Sequence, residues 1–234
     1  MSRSWQNAAG FDFNLSSAVR IKAEVYYQYL YNIPVITDRP EESILNIGDG
    51  YYNNWDYAFV NEGTGRNYGI DMTVEKFFED NYYFLVTGSI YESIYTALDN
   101  IERNTRFNGN FSLNILCGYE ISVGTNSLLN INAKIAWLGG KRYLSIYTDE
   151  SGETQIDDSF DTFYNRNNPN YFKTDINIGV KTNYKKFALE WFFELGNITN
   201  QQNVLNQYFN KNKGKNIYTY QNGFMPMGGC KIFL

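Results

Sequence analysis

Carboxylates are the side chains in this sequence that could most readily do chemistry. The chain has no histidine, which excludes Ser-His-Asp and Cys-His nucleophile activation and removes the commonest metal ligand. Glu190 and Glu194 could in principle act as the acid and base of a glycoside hydrolase. They lie, however, in a polar row that also holds lysine and asparagine, as in a charged wall. The sequence therefore predicts no enzyme, and it offers no catalytic, cofactor-binding or metal-binding residue.

A further group of carboxylates falls within residues 149–161. Its members are Asp149, Glu150, Glu153, Asp157, Asp158 and Asp161. Oxygen ligands of this kind are what Ca²⁺ prefers, but their spacing matches no EF-hand loop. We interpret this segment as a solvated loop surface, with a cation site as the alternative.

Three other motifs are better explained by structure than by chemistry. Gly63–Gly69 has the wrong spacing for a dinucleotide-binding loop, and a strand follows where a helix should; its glycines would let a long loop re-enter a strand. Cys117 and Cys230 fall in apolar rows of different strands, so we expect two buried, unpaired thiols that behave as small hydrophobes. The glycosylation-like triplet at Asn197 is read as chance.

The net charge limits the partners. At −5, with a pI near 4.9, the chain carries no basic patch of the kind that binds a phosphate backbone. We therefore expect no nucleic-acid partner.

Nine stretches that alternate apolar and polar residues must position these side chains. In the longest, from Phe107 to Ile121, every second residue is apolar apart from Gly109. Such a period indicates a strand with one face in an apolar medium and one in water. The other eight stretches lie at Ala8–Leu15, Val19–Tyr31, Ile70–Glu75, Tyr82–Ile90, Leu129–Trp137, Phe172–Lys181, Phe187–Leu195 and Gly229–Leu234.

The connections between these stretches alternate strictly between short and long. The short ones are Ser16-Ser17, Glu79–Asn81, Ser122–Ser127 and Tyr184–Lys186, and the long ones are Asn32–Arg66, Thr96–Thr105, Gly140–Asn170 and Ile198–Thr219. All short turns therefore fall at one end of the sheet. Short periplasmic turns and long extracellular loops are typical of outer-membrane barrels. The predicted fold is all-β, an antiparallel up-and-down transmembrane β-barrel portion of about nine strands.

Composition agrees with this class. A mean hydropathy of −0.46 and the lack of a long apolar run exclude a transmembrane helix. Aromatic residues make up 18% of the chain, and many tyrosines lie near strand ends, where interfacial girdles belong. Pro34, Pro40 and Pro169 fall in long loops. Pro226 would suit a bulge or the start of the last strand.

Five segments resemble a known family, the TonB-dependent outer-membrane receptors of Bacteroidetes type. They occur in family order and are Glu24–Val35 (EVYYQYLYNIPV), Asn61–Asp71 (NEGTGRNYGID), Asn104–Gly109 (NTRFNG), Gly139–Tyr143 (GGKRY) and Leu195–Val204 (LGNITNQQNV). Two features depart from the family. The stretch after Tyr143 does not align, and the chain ends at Leu234, where the family closes on an aromatic residue resembling a barrel-assembly signal.

The resemblance implies a Gram-negative outer-membrane importer whose barrel has 22 strands around an N-terminal plug. Residues 1–234 would then be the C-terminal part of that barrel, without the plug or a signal peptide. Implied partners are outer-membrane lipid, the remaining strands and plug, TonB through the N-terminal part, the barrel-assembly machinery and an unidentified ligand of the loops. With open edges in lipid costing several kcal/mol per unpaired backbone group, we do not expect this part to insert alone.

Two other classes remain open from the residues. A complete small outer-membrane barrel for adhesion or structure would need an even strand count or a parallel seam. A soluble antiparallel β-sandwich binding module would bury the apolar rows in a core.

Overall fold

The computed structural model describes residues 1–47, 57–156 and 163–234, and its regular structure there is almost entirely β. Among these residues, no helix is long and apolar enough to cross a membrane. The strands are β1 (Arg3–Asn14), β2 (Val19–Ile36), β3 (Phe59–Glu79), β4 (Tyr82–Thr96), β5 (Glu102–Asn104), β6 (Phe111–Val123), β7 (Ser127–Leu138), β8 (Arg142–Tyr143), β9 (Ile146–Thr148), β10 (Thr154–Ile156), β11 (Arg166–Asn167), β12 (Tyr171–Asn183), β13 (Ala188–Gly196), β14 (Val204–Asn210), β15 (Lys215–Tyr220) and β16 (Met225–Phe233).

Nine long strands form one antiparallel meander. Their order is β1-β2-β3-β4-β6-β7-β12-β13-β16, and β5 adds a short pairing to β4 beyond the end of β6. Each strand of the meander pairs with the long strand that precedes it in the sequence, so the up-and-down arrangement is confirmed. The other described strands form two-stranded ribbons within the long connections: β9 with β10, β8 with β11, and β14 with β15.

Several strand boundaries differ from the sequence prediction, and two of the differences reshape the long connections. The predicted loop Asn32–Arg66 is shorter, because the β2–β3 ladder continues to the pair Ile36–Phe59 through two irregularities in register. Its extension is stabilised by a small apolar cluster of Val35, Tyr95 and Ala97. The predicted strand start at Phe107 is wrong as well. Arg106 and Phe107 form a turn, Asn110 has φ 69°, and β6 begins only after Asn110.

The alternating rows form an apolar face that no described element covers. Ile90 and Trp191 are 73% and 61% exposed. Register makes the rows continuous across strands, since Ile70 pairs with Ile90 and Ile131 with Ile178. A soluble sandwich would bury these side chains, so the structure is contrary to that alternative. An exposed apolar patch that extends over several strands marks a surface that meets a membrane or another protein.

The opposite, polar face carries hydrogen-bonded amides and paired charges. Asn132 and Asn177 lie across from each other, and the Tyr83 hydroxyl donates to Asn132 Oδ1 at 3.0 Å. Glu190 pairs with Lys231 at 3.5 Å, as expected for a charged wall. Glu194 lies in the same row, opposite Asn177.

Both cysteines are free thiols, as predicted, but they are exposed rather than buried. Cys117 lies on the apolar face between Phe84 and Ala133, and Cys230 lies opposite Trp191. Because none of the described residues covers the apolar face here, a position in an apolar row does not by itself mean that the side chain is buried within the chain.

The sheet is open at both edges. In the described part of the chain, β1 pairs only with β2 and β16 only with β13, and every residue of β1 is exposed. A small barrel closed by this chain would require β1 to pair with β16. Pro226 is the second residue of β16, an edge-strand start that needs no ladder donor at that position.

Candidate functional site

A cavity of about 590 Å³ lies where the long connections meet, and we name it the loop pocket. Its walls are formed by Arg106 and Phe107, residues 138–144, Tyr164, Asn168, Pro169, residues 204–207, Asn216 and Gln221. Tyr91, Leu138 and Tyr171 also line it. These three have the same strand parity as the polar face, so the loop pocket opens on that side of the sheet, beyond its long-loop end.

Glycines allow the walls to approach one another. A Cβ on Gly139 would overlap the Gly109 carbonyl oxygen, and a Cβ on Gly109 would lie 2.6 Å from the Gly139 oxygen. A Cβ on Gly140 would overlap the Asn168 carbonyl. Two separate backbone contacts therefore depend on the absence of side chains.

Arg142 fastens three segments beneath the loop pocket. Its Nε donates to the Asn108 carbonyl at 2.9 Å, and its Nη2 donates to Asn110 Oδ1 at 3.1 Å. Its Nη1 reaches the carbonyls of Tyr164 and Asn165 at 3.4 Å. Burial lowers the pKa of this guanidinium below its ordinary value, and the charge of Glu92 opposes that shift. The donors of Arg142 are committed to neutral acceptors, which gives it a structural role.

A buried amide cluster holds the turn that carries Arg106 and Phe107. Asn108 is fully buried, and its Nδ2 donates to Glu92 and to Asn104 Oδ1, each at 2.7 Å. Asn110 Nδ2 donates to the same Glu92 carboxylate at 2.8 Å. The Glu92 carboxylate therefore accepts hydrogen bonds from both asparagine side chains and supplies the negative charge of this cluster.

Two further asparagines dock the hairpin wall. Asn203 accepts from the Phe172 backbone N–H at 2.9 Å and donates to the Phe172 carbonyl at 2.8 Å. Asn197 is 1% exposed, and its Nδ2 donates to the carbonyls of Gln201 and Asn222 at 2.9 and 3.2 Å. Because that amide is buried and hydrogen-bonded, the triplet at Asn197 offers no accessible acceptor for glycosylation.

The loop pocket itself presents cations and unsatisfied acceptors. Among the described residues, neither Arg106 nor Lys141 forms an ion pair; the Lys141 ammonium lies 5.4 Å from the Phe107 ring centroid. Asn168 Oδ1 and Gln207 Oε1 are buried acceptors without a donor in the described structure, and both residues line the loop pocket. The described lining residues include no carboxylate.

Sequence reasoning gave no candidate site, so it missed Arg106, Lys141 and Gln207. One signal was present: three of the segments that carry the family resemblance, at residues 104–109, 139–143 and 195–204, contribute to the loop pocket or its supports. The Gly63–Gly69 segment has a different role from the one predicted. It lies within β3 rather than at a loop end, and Gly63 packs close to Val35 and Ile33.

The acidic segment is only partly described. Asp149 Oδ1 accepts from the backbone N–H groups of Ser151 and Glu153, both at 3.0 Å, within a local turn. Asp157, Asp158 and Asp161 lie outside the described residues, so the cation site stays a prediction.

No family model and no curated protein matches the sequence. The fold is similar to the crystal structure of the ferric yersiniabactin uptake receptor FyuA from Yersinia pestis, with a TM-score of 0.66 and 11% sequence identity. The match covers 99% of this chain and 30% of that receptor. At this identity the likeness shows the fold alone: an antiparallel, up-and-down sheet similar to the barrel of that receptor.

Proposed function

We propose that this chain is part of the barrel wall of a TonB-dependent receptor in the outer membrane of a Gram-negative bacterium. The observation that carries the proposal is the uncovered apolar face, which extends across the nine antiparallel strands of the described sheet. A protein that leaves such a face bare in water would aggregate, whereas a lipid bilayer would cover it. The sequence resemblance and the likeness to a receptor barrel support the same assignment.

Strand lengths suit a membrane span. β6, β7 and β12 have 13, 12 and 13 residues, and a tilted strand needs about 9–11 residues to cross the hydrocarbon. Aromatic pairs lie toward both ends of the apolar face. Tyr27 stacks on Tyr68 at 6.3 Å toward the long loops, and Tyr184 stacks on Phe187 at 4.7 Å at the short turns. Both positions suit interfacial girdles.

The open edges call for further strands. We infer that other parts of the same protein pair with β1 and β16 and complete a larger barrel, which in the resembled family has 22 strands and encloses a plug. Active transport through TonB and assembly by the barrel-assembly machinery then follow as properties of the intact receptor. In this arrangement the polar face lines the lumen, and the loop pocket lies at the extracellular end, where a substrate would first meet the wall.

Cysteine labelling of the full-length protein in cells tests the proposal. In a background with Cys117→Ser and Cys230→Ser, Glu150→Cys in a long loop should react with a membrane-impermeant maleimide on intact cells. Lys185→Cys in a short turn should react only after the outer membrane is opened. Ile131→Cys on the apolar face should resist the water-soluble reagent and accept a lipid-soluble maleimide.

Two outcomes contradict the assignment. Labelling of Lys185→Cys, but not Glu150→Cys, on intact cells would reverse the topology. Recovery of the protein in the soluble fraction without detergent, with Ile131→Cys resisting both reagents, would exclude a membrane barrel.

A further inference from the structure

We infer that the loop pocket binds a hydroxylated organic anion of the acidic-sugar class. The inference rests on the proposed function only for the place where the ligand is met, at the extracellular mouth. At about 590 Å³ the cavity falls within the range of about 300–1,000 Å³ that is usual for small-molecule sites.

The charge of the loop pocket indicates that the ligand is an anion. Arg106 and Lys141 line the loop pocket and form no ion pair among the described residues, and no described lining residue is acidic. This local excess of positive charge stands in a chain whose net charge is −5. Guanidinium and ammonium groups in such a setting bind carboxylates through charge-assisted hydrogen bonds.

Arg142 provides the comparison, because its side chain has a structural role and its donors are used by acceptors of the protein. Its donors reach Asn108, Asn110 and the carbonyls beside Tyr164. Arg106 and Lys141 make no comparable side-chain hydrogen bonds among the described residues. The loop pocket therefore holds one cation committed to its walls and two available to a ligand.

The unsatisfied acceptors in the loop pocket indicate that the ligand also carries hydrogen-bond donors. Asn168 Oδ1 and Gln207 Oε1 are buried without a donor, and a buried acceptor is stabilised only when a donor reaches it. The other side of Asn168 is already used, since its Nδ2 donates to the Lys141 carbonyl at 3.0 Å. A simple anion such as phosphate in its charged form offers few donors, whereas the hydroxyls of an acidic sugar can donate to both amide oxygens.

Tyrosines complete the match. Tyr91, Tyr143 and Tyr171 line the same cavity, and each combines an apolar ring with a hydroxyl. The ring can cover the C–H face of a sugar while the hydroxyl binds a polar edge. Carboxylate, hydroxyls and an apolar face occur together in a uronic acid unit.

Binding to the full-length protein in outer-membrane vesicles tests the inference, with three probes. Trigalacturonate carries carboxylates and hydroxyls, galactotriose carries hydroxyls alone, and tricarballylate carries carboxylates alone. We expect trigalacturonate to bind at least 10-fold more tightly than either of the other two. We also expect Arg106→Gln and Lys141→Gln each to weaken its binding about 10-fold.

Matched controls separate the site from general charge. Arg166→Gln and Lys215→Gln remove the same charges from the same end of the sheet outside the loop pocket, and should change binding less than 2-fold. Gln207→Glu should weaken trigalacturonate binding more than Gln207→Met, because it adds a like charge as well as removing the amide. Heat-modifiable migration on gels verifies that each variant is folded.

The failures are distinguishable. If the protein is in the outer membrane and trigalacturonate does not bind, or galactotriose binds equally well, the ligand class is wrong and the receptor assignment stands. If Arg166→Gln weakens binding as much as Arg106→Gln, the loop pocket is not the site. If trigalacturonate binds to a protein found outside the membrane, the receptor assignment fails and the loop pocket stands.

Discussion

The apolar face and the loop pocket are built in opposite ways. On the apolar face, an apolar side chain recurs at every second residue, and each contributes to the same exposed surface as its neighbours in the row. The loop pocket draws single residues from connections far apart in sequence, such as Arg106, Lys141 and Gln207. A repeated surface tolerates variation at any one position, whereas an assembled pocket depends on particular contacts beneath it.

A charge placed on the apolar face tests its environment most strongly. In the full-length protein, Ile131→Arg should lower the free energy of unfolding by roughly 2–4 kcal/mol, because in the proposed membrane barrel the guanidinium enters hydrocarbon. Asn130→Arg, one residue away on the polar face, should cost far less. Urea titration of the barrel in lipid vesicles gives both values, and equal costs would mean that the two faces do not differ in their surroundings.

The next largest effect concerns the backbone contact under the loop pocket. Gly139→Ala should lower the free energy of unfolding by about 1–3 kcal/mol, since a Cβ there overlaps the Gly109 carbonyl and the backbone must shift. Gly88→Ala is the matched control, because its nearest neighbour would be Leu113 at 3.9 Å. Urea titration gives the loss of stability for both variants. Measuring trigalacturonate binding to the same variants tests whether the shift of the backbone at Gly139 also weakens binding in the loop pocket. An unaltered Gly139→Ala variant would show that the contact is loose.

Lys76 is an instructive exception on the apolar face. It follows Ile70, Met72 and Val74 in the same row, yet it is buried at the β3–β4 turn, where its ammonium donates to the Glu79 carbonyl at 2.7 Å and the Tyr82 carbonyl at 3.3 Å. It also lies 3.8 Å from the Tyr82 ring centroid.

Lys76→Met should therefore lower the free energy of unfolding by about 1 kcal/mol, the net value of the hydrogen bonds lost. Lys185→Met, at an exposed turn, should change it by less than about 0.5 kcal/mol. A Lys76→Met variant more stable than the parent protein would mean that apolar character outweighs the turn contacts.

The contrast between the two regions also explains what could be predicted from the sequence. The face on which Ile131 and Ile178 lie follows from their period alone, because strand side chains alternate. The ends of β2 and β3 do not follow from it, because their extension depends on Val35 meeting Tyr95 and Ala97 from another strand. Nothing in the sequence distinguishes Arg106 and Lys141 from Arg142, since all three are basic residues near the ends of long connections. Only the three-dimensional arrangement shows that one basic residue, Arg142, is committed to carbonyls while these two are not.

The meander has a consequence for how such a protein can change over time. Each long strand pairs with the long strands that precede and follow it along the chain. Two consecutive strands and the connection between them therefore form one unit of pairing. The β14–β15 ribbon inserted between β13 and β16 leaves their register of nine residue pairs uninterrupted. Connections can therefore lengthen, shorten or acquire ribbons while the wall keeps its ladder. New recognition can arise at the rim without rebuilding the structure that supports it.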